Sequence, residues 1–217
     1  MKITKLIVTA LLGFFINVAS AENFSAGINY ASDYFYRGAL KSGQAVQSNV
    51  GFSTSGGGID FSAGAFTNQV VNSGSDTYIL SAGAAKSFAD DILSVYAGVN
   101  HMEDVAGIAV LEAQVSLGIN WHLSPTVNVY RDLDDALYTY ELALGHSFDL
   151  DAFLLGFNGS VGQTDISSTV DNTYYTVGAS ASRSLGEDAD LSLGITHVDS
   201  DTISNEYIFE VGISLKF

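Results

Sequence analysis

The chain has 217 residues, with 24 acidic against 8 basic side chains, a formal net charge of −16 and no cysteine. That charge excludes a nucleic-acid role, because phosphate binding needs a basic surface, and the missing thiols exclude disulfide staples and thiolate metal sites. With 22 Gly, one Pro and 11 Tyr, and with apolar residues frequent but dispersed, the composition fits a soluble β-sandwich or a membrane barrel.

At the N-terminus, Lys2 and Lys5 precede a mostly apolar run over residues 6–18, followed by Ala19-Ser20-Ala21. A basic start, a short apolar stretch and a small-x-small site make an export signal. The run falls short of the ~20 residues that a membrane-spanning helix needs. Residues 1–21 are therefore read as a signal peptide and 22–217 as the mature domain. Cleavage removes two basic residues and no acid, moving the net charge from −16 to −18.

From there the chain alternates apolar and polar residues with period two, the mark of strands with one greasy face. The first strand sets Phe24, Ala26, Ile28, Tyr30 and Tyr34 against Ser25, Gly27, Asn29 and Asp33. Further strands are read at 46–52, 59–65, 78–84 and 93–100. The sixth, at 109–121, is the longest, and a short seventh covers 127–130. Others follow at 138–145, 153–161, 175–182 and 191–196. The twelfth, 207–217, is the cleanest: every odd position from Tyr207 to Phe217 is aromatic or aliphatic, against Glu210, Gly212, Ser214 and Lys216. Such lengths exceed ordinary sandwich strands and suit strands tilted across a bilayer, which need ~9–11 residues.

Connections at 55–58, 89–91, 122–125, 149–151 and 186–189 read as tight turns. Those at 41–44, 68–76, 103–107, 132–135, 165–172 and 199–205 read as loops, several longer and acidic. Short turns on the periplasmic side and longer loops outside are the outer-membrane arrangement. The polar faces are rich in Gly, Ser, Thr and Asn, and the apolar faces mix Val, Leu and Ile with Ala, which lipid tolerates without jigsaw fit. Closure leaves no unpaired strand edge in hydrocarbon. Tyr30, Tyr34, Tyr78, Tyr138, Tyr175, Tyr207 and Phe217 near strand ends suit interfacial girdles. The expected fold is all-β: a closed antiparallel transmembrane barrel of about twelve strands after an N-terminal signal peptide.

Two stretches carry resemblances. Terminal Phe217, with Tyr207 and Phe209 at alternate positions before it, resembles the signal read by the outer-membrane barrel assembly machinery. Ser32-Asp33-Tyr34-Phe35-Tyr36-Arg37-Gly38, then Gln44-Ala45-Val46-Gln47 and Gly58-Ile59-Asp60-Phe61-Ser62-Ala63-Gly64, is similar to the N-terminal hallmark of the TorF-family porins. It covers roughly residues 24–84 and departs at Ala65-Phe66, where members often carry Trp. The resemblance implies a porin-like protein of the bacterial outer membrane.

Catalysis finds no support in the sequence. His101, His122, His146 and His197 each fall at a strand end, without the grouping that a nucleophile and base or a metal would need. Ser55-Gly56-Gly57-Gly58 lacks the Lys and helix of a phosphate loop. The Asp132, Asp134 and Asp135 group, like Asp199 and Asp201, is solvated loop charge rather than a calcium loop. No cofactor and no metal are expected.

The lumen is the candidate functional site. By parity Asp33, Arg37, Asp60, Glu112, Asp132, Glu141, Glu210 and Lys216 point inward, six acids to two bases. An acidic lumen enriches cations and disfavours anions. Twelve strands lie between filled eight-stranded barrels and open sixteen-stranded porins. The expectation is a porin-like channel for passive passage of small, preferably cationic solutes, embedded in outer-membrane lipid beside lipopolysaccharide. The alternatives are a closed structural or surface-interaction barrel and, ranked last, a lipid-acting barrel enzyme.

Overall fold

The computed structural model describes residues 23–217 apart from 73, 106 and 168, so the expected signal peptide lies outside the described residues. In chain order the strands are β1 (Asn23–Ala31), β2 (Tyr34–Tyr36), β3 (Ala39–Ser42), β4 (Ala45–Gly56), β5 (Ile59–Val70), β6 (Thr77–Phe88) and β7 (Leu93–Asp104). They continue with β8 (Ala109–Ile119), β9 (Thr126–Asp132), β10 (Tyr138–Asp149), β11 (Leu154–Ser167), β12 (Val170–Ser184), β13 (Ala189–Ser200) and β14 (Ile203–Lys216).

Twelve of these, all but β2 and β3, form one closed antiparallel barrel in which β1 pairs with β4 on one side and β14 on the other. Successive wall strands are antiparallel neighbours, β1 and β4 being joined through residues 32–44, so the order around the barrel is the order along the chain. At the seam, Ser25 to Ala31 pair with Lys216 to Glu210. Beyond it the Phe217 and Phe24 backbones exchange hydrogen bonds (2.9 and 3.2 Å) and their rings lie 5.8 Å apart. Closure matters because an open edge in hydrocarbon would leave a row of unsatisfied amides.

The alternation places its faces as expected. Ile28, Val50, Val99, Val115, Val127, Leu142, Val177 and Leu193 point outward and are exposed, a continuous apolar exterior that only lipid satisfies. Large aromatic residues ring both rims of that exterior. Tyr30, Tyr78, Tyr140, Tyr175 and Tyr207 stand at one end; Phe24, Phe88, Trp121, Phe148, Phe153 and Phe217 stand at the other, and all are exposed. What is buried is largely the inside: Gln47, Asn68, Glu112, Ser116, Asn128, Thr139 and Asn172, with Tyr174 and Val198. This is a transmembrane barrel whose packed core is its lumen.

Two expectations need correction. Tyr34 is not a girdle residue of the first strand. That strand ends at Ala31, and the next residues double back as the separate β2–β3 hairpin, where the Tyr34 ring packs 5.7 Å from inward-facing Phe66. Also, the segments 165–172 and 199–205 are mostly strand rather than loop. Ladders run on to Ser167↔Val170 and Ser200↔Ile203 through a bulge in each. Beyond the apolar band a strand needs no greasy face, so acidic residues continue the ladder freely. The contrast between turns and loops thus narrows to one long excursion, residues 32–44.

Candidate functional site

Residues 32–44 leave the wall between β1 and β4 and enter the lumen. The reversal at the hairpin tip requires the left-handed backbone of Arg37 (φ 52°) and Gly38 (φ 74°). Gly38 is needed sterically as well: a Cβ there would lie 2.4 Å from Cβ of Tyr174. On the wall side of the same ring, a Cβ on Gly162 would lie 2.4 Å from Tyr174 Cζ. Tyr174 is therefore clamped between barrel wall and hairpin tip, 1% exposed.

Polar contacts fasten the hairpin at three places. At its return, Asn68 donates from Nδ2 to Ser42 Oγ (2.9 Å) and accepts at Oδ1 from Gln47 Nε2 (3.1 Å), all three side chains being buried. At the tip, Ser200 Oγ of β13 donates to the Gly38 carbonyl (2.9 Å). On the far wall, the Arg37 guanidinium grips Glu112 of β8 with both terminal nitrogens, one to each carboxylate oxygen. Both side chains are largely withdrawn from water, 13% and 7% exposed. The guanidinium also lies over the Tyr130 ring of β9, 3.6 Å from its centre, and 4.5 Å from that of Tyr36. Since β8 and β9 sit across the barrel from β1 and β4, the hairpin is a strut spanning the lumen. Burial pushes the phenols of its two tyrosines up against the opposing pull of Arg37, that of Tyr34 to about 12, so both stay neutral.

The carboxylates flanking the strut differ in their partners. Glu112 receives Arg37 and, from β7, the Asn100 amide (3.2 Å). Glu141 of β10 accepts from the Tyr174 hydroxyl (2.9 Å) and the Asn128 amide (3.1 Å), both neutral donors. On the loop side of the strut a cavity of about 370 Å³ is lined by Tyr36, Arg37, Lys41, Glu112, Tyr130 and Asp132, among others.

Of the residues named from sequence, the structure brings Arg37, Glu112 and Glu141 together. Arg37 arrives by a route that parity could not supply, from the hairpin and not from a strand. Asp132 lines the loop-side cavity with Arg37 and Glu112 and is the ladder partner of Glu112; the others lie apart. Asp33 is half-buried between β1 and β2. Glu210 is half-buried on β14, opposite Gly194 and Ala31. Asp60 is exposed at the β4–β5 turn, accepting from Ser55 (2.5 Å). Lys216 is exposed at the seam end, bonded to Asp190 (3.0 Å). Asp132 also caps the 133–137 turn by accepting from the Asp134 and Asp135 amides. The histidines are dispersed: His146 lies against Phe148, His122 beside Trp121, His101 by Glu103, and His197 between Tyr175 and Tyr207. Sequence reasoning missed Tyr130 and Tyr174 as site residues. Their signal was present: each is an aromatic on the face otherwise given to Gly, Ser, Thr and Asn.

No protein-family model and no curated protein sequence matches the chain. Solved structures do. The chain superimposes on the KdgM porin with a TM-score of 0.60 at 13% identity, over 89% of this chain and 99% of that one. An outer membrane channel from Pseudomonas putida F1 gives 0.62 at 8% identity, over 90% and 95%. The NanC porin gives 0.58 at 11%, over 89% and 100%. At these identities the likeness is one of fold: a twelve-stranded barrel architecture found in outer-membrane porins and channels.

Proposed function

We propose that the chain is a porin-like channel of the bacterial outer membrane, passing small solutes passively with a preference for cations. The observation that carries the reading is the charge balance at the strut. Arg37 is matched by Glu112, and Glu141 beside them is held by neutral donors, so this cluster holds one carboxylate more than it holds guanidinium groups. In a space walled off by lipid that charge is poorly screened and enriches cations. The twelve-stranded fold shared with porins supports a channel, as does the TorF-like stretch over roughly residues 24–84, whose Ser32-to-Gly38 motif lies in the strut. The KdgM porin has been solved with oligogalacturonate, an anionic oligosaccharide; the acid excess here favours cargo of opposite sign.

A salt gradient across a planar bilayer should give a reversal potential of cationic sign. Glu141→Gln should move it toward zero, whereas Asp199→Asn with Asp201→Asn, on the loop side of β13, should move it less. An anion-selective wild type would overturn the preference.

The strut itself favours a second reading, a closed structural barrel. A wild type without conductance, and a conducting variant with residues 33–42 replaced by a short turn, would select it.

The same proposal takes Tyr207, Phe209 and Phe217 as the assembly signal, read in passage to outer-membrane lipid and lipopolysaccharide. Phe217→Ala keeps the backbone bonds of the seam and should still lower the yield of heat-modifiable barrel in the membrane. An unchanged yield would remove Phe217 from that role.

A further inference from the structure

We infer that the lumen contains a recognition site for guanidinium cations, and that the chain's own Arg37 occupies it as a built-in competitor. The inference rests on the channel reading for its biological setting but not for its chemistry. The wall half of the site is Glu112 on β8 and Tyr130 on β9. Two carboxylate oxygens face the planar fork of the guanidinium, and an aromatic face lies 3.6 Å from its carbon. Bidentate pairing with a carboxylate and stacking on a phenol ring are how a guanidinium is told from an ammonium, which is a point charge without a plane.

Neither wall group depends on Arg37 for its position. Glu112 is buried on a wall strand and also bonded by Asn100 of the next strand. Tyr130 is carried by β9, which pairs with β8 and β10. The arginine arrives on a hairpin that is also fastened at Ser42 and Gly38. Removing the arginine side chain therefore leaves a formed half-cage rather than a collapsed one.

Access is also present. The cavity of about 370 Å³ on the loop side of the strut has Arg37, Glu112, Tyr36 and Tyr130 in its lining, and it is large enough for an alkylguanidinium. A solute bearing that group, entering from the loop side, reaches the occupied cage directly and competes with Arg37 for it. Exchange of solute for side chain releases the hairpin's hold on the far wall. Recognition and widening of the lumen are then one event, and a solute without differential affinity for the undocked state cannot cause it.

The test is calorimetric titration of refolded barrels in detergent with ethylguanidinium chloride, using ethylammonium chloride as comparison. Arg37→Ala should bind ethylguanidinium saturably and ethylammonium far more weakly. Arg37→Ala combined with Glu112→Gln should lose that binding, and wild type, its cage filled, should bind much more weakly than Arg37→Ala. Arg37→Gln, which keeps a long polar side chain at the tip, provides a second vacated site should Arg37→Ala fail to give heat-modifiable barrel. No saturable binding to either folded variant would overturn the inference, as would equal binding of the two cations or binding that survives Glu112→Gln. Conductance is scored separately: a barrel that binds ethylguanidinium but passes no current keeps the site and loses the channel.

Discussion

Replacing Glu112 by alanine should undock the hairpin. The substitution leaves the Arg37 guanidinium in a site where its side chain is only 13% exposed, facing tyrosine rings and no carboxylate at bonding distance. Breaking one half of a largely buried ion pair costs about 3–5 kcal/mol, because the remaining charge is left desolvated. The barrel wall does not share that cost, since its ladders run without the hairpin. The loss should therefore fall on docking alone. Limited trypsin digestion reads it directly: the bond after Arg37 should be protected in wild type and cut rapidly in Glu112→Ala, with heat-modifiable migration unchanged. Larger single-channel conductance should accompany the cleavage. Equal protection in both proteins would show that Ser42, Gly38 and Tyr174 suffice to hold the strut.

The second large effect lies on the outer surface. Val115 is exposed on the lipid face near the middle of β8, and Ile119 occupies the same face at its end. Arginine at the bilayer midplane of a barrel costs about 2–4 kcal/mol and near the interface about 0–1 kcal/mol. Val115→Arg should accordingly destabilise the refolded barrel in lipid by about 2–4 kcal/mol, and Ile119→Arg by at most about 1 kcal/mol. Urea titration in vesicles checks both. Equal costs would mean that the apolar band is misplaced along the barrel axis.

Strand number and face assignment were legible because period-two alternation is a local property: each strand declares its two faces within its own residues. The strut was not legible, although its residues were noticed. Tyr34 and Tyr36 continue the rhythm of the first strand, so alternation alone extends β1 straight through them. What bends the chain inward is non-local. It is the tip conformation at Arg37 and Gly38, stabilised by a partner 75 residues away in Glu112. Parity assigns a face to Glu112 and Glu141, because both lie on wall strands. Parity carries no information on which acid meets a cation, since that depends on the hairpin. Tyr130 and Tyr174 were hidden for a related reason: an inward aromatic residue in a strand looks like ordinary β propensity until something is found packed against it. The acidic segments 165–172 and 199–205 show the opposite case: their charge density reads as the end of a strand, whereas it marks only the end of the apolar band.

The strut also has a mechanical meaning. The ladders around the barrel are uneven. β1 shares seven residue pairs with β14, β9 shares seven with β8 and six with β10, while β11 and β12 share thirteen. The thin staves are thus β9 on one side and the β1 seam on the other, half a turn apart in the strand order. A tube with two weak lines on opposite sides flattens by folding along them, as a cardboard cylinder does along its creases. The hairpin starts at one crease, where the Ser32 amide and the Phe209 carbonyl extend the seam at 2.9 Å, and ends on the other at Tyr130. It is a spoke that ties these two thin lines of the wall together across the lumen.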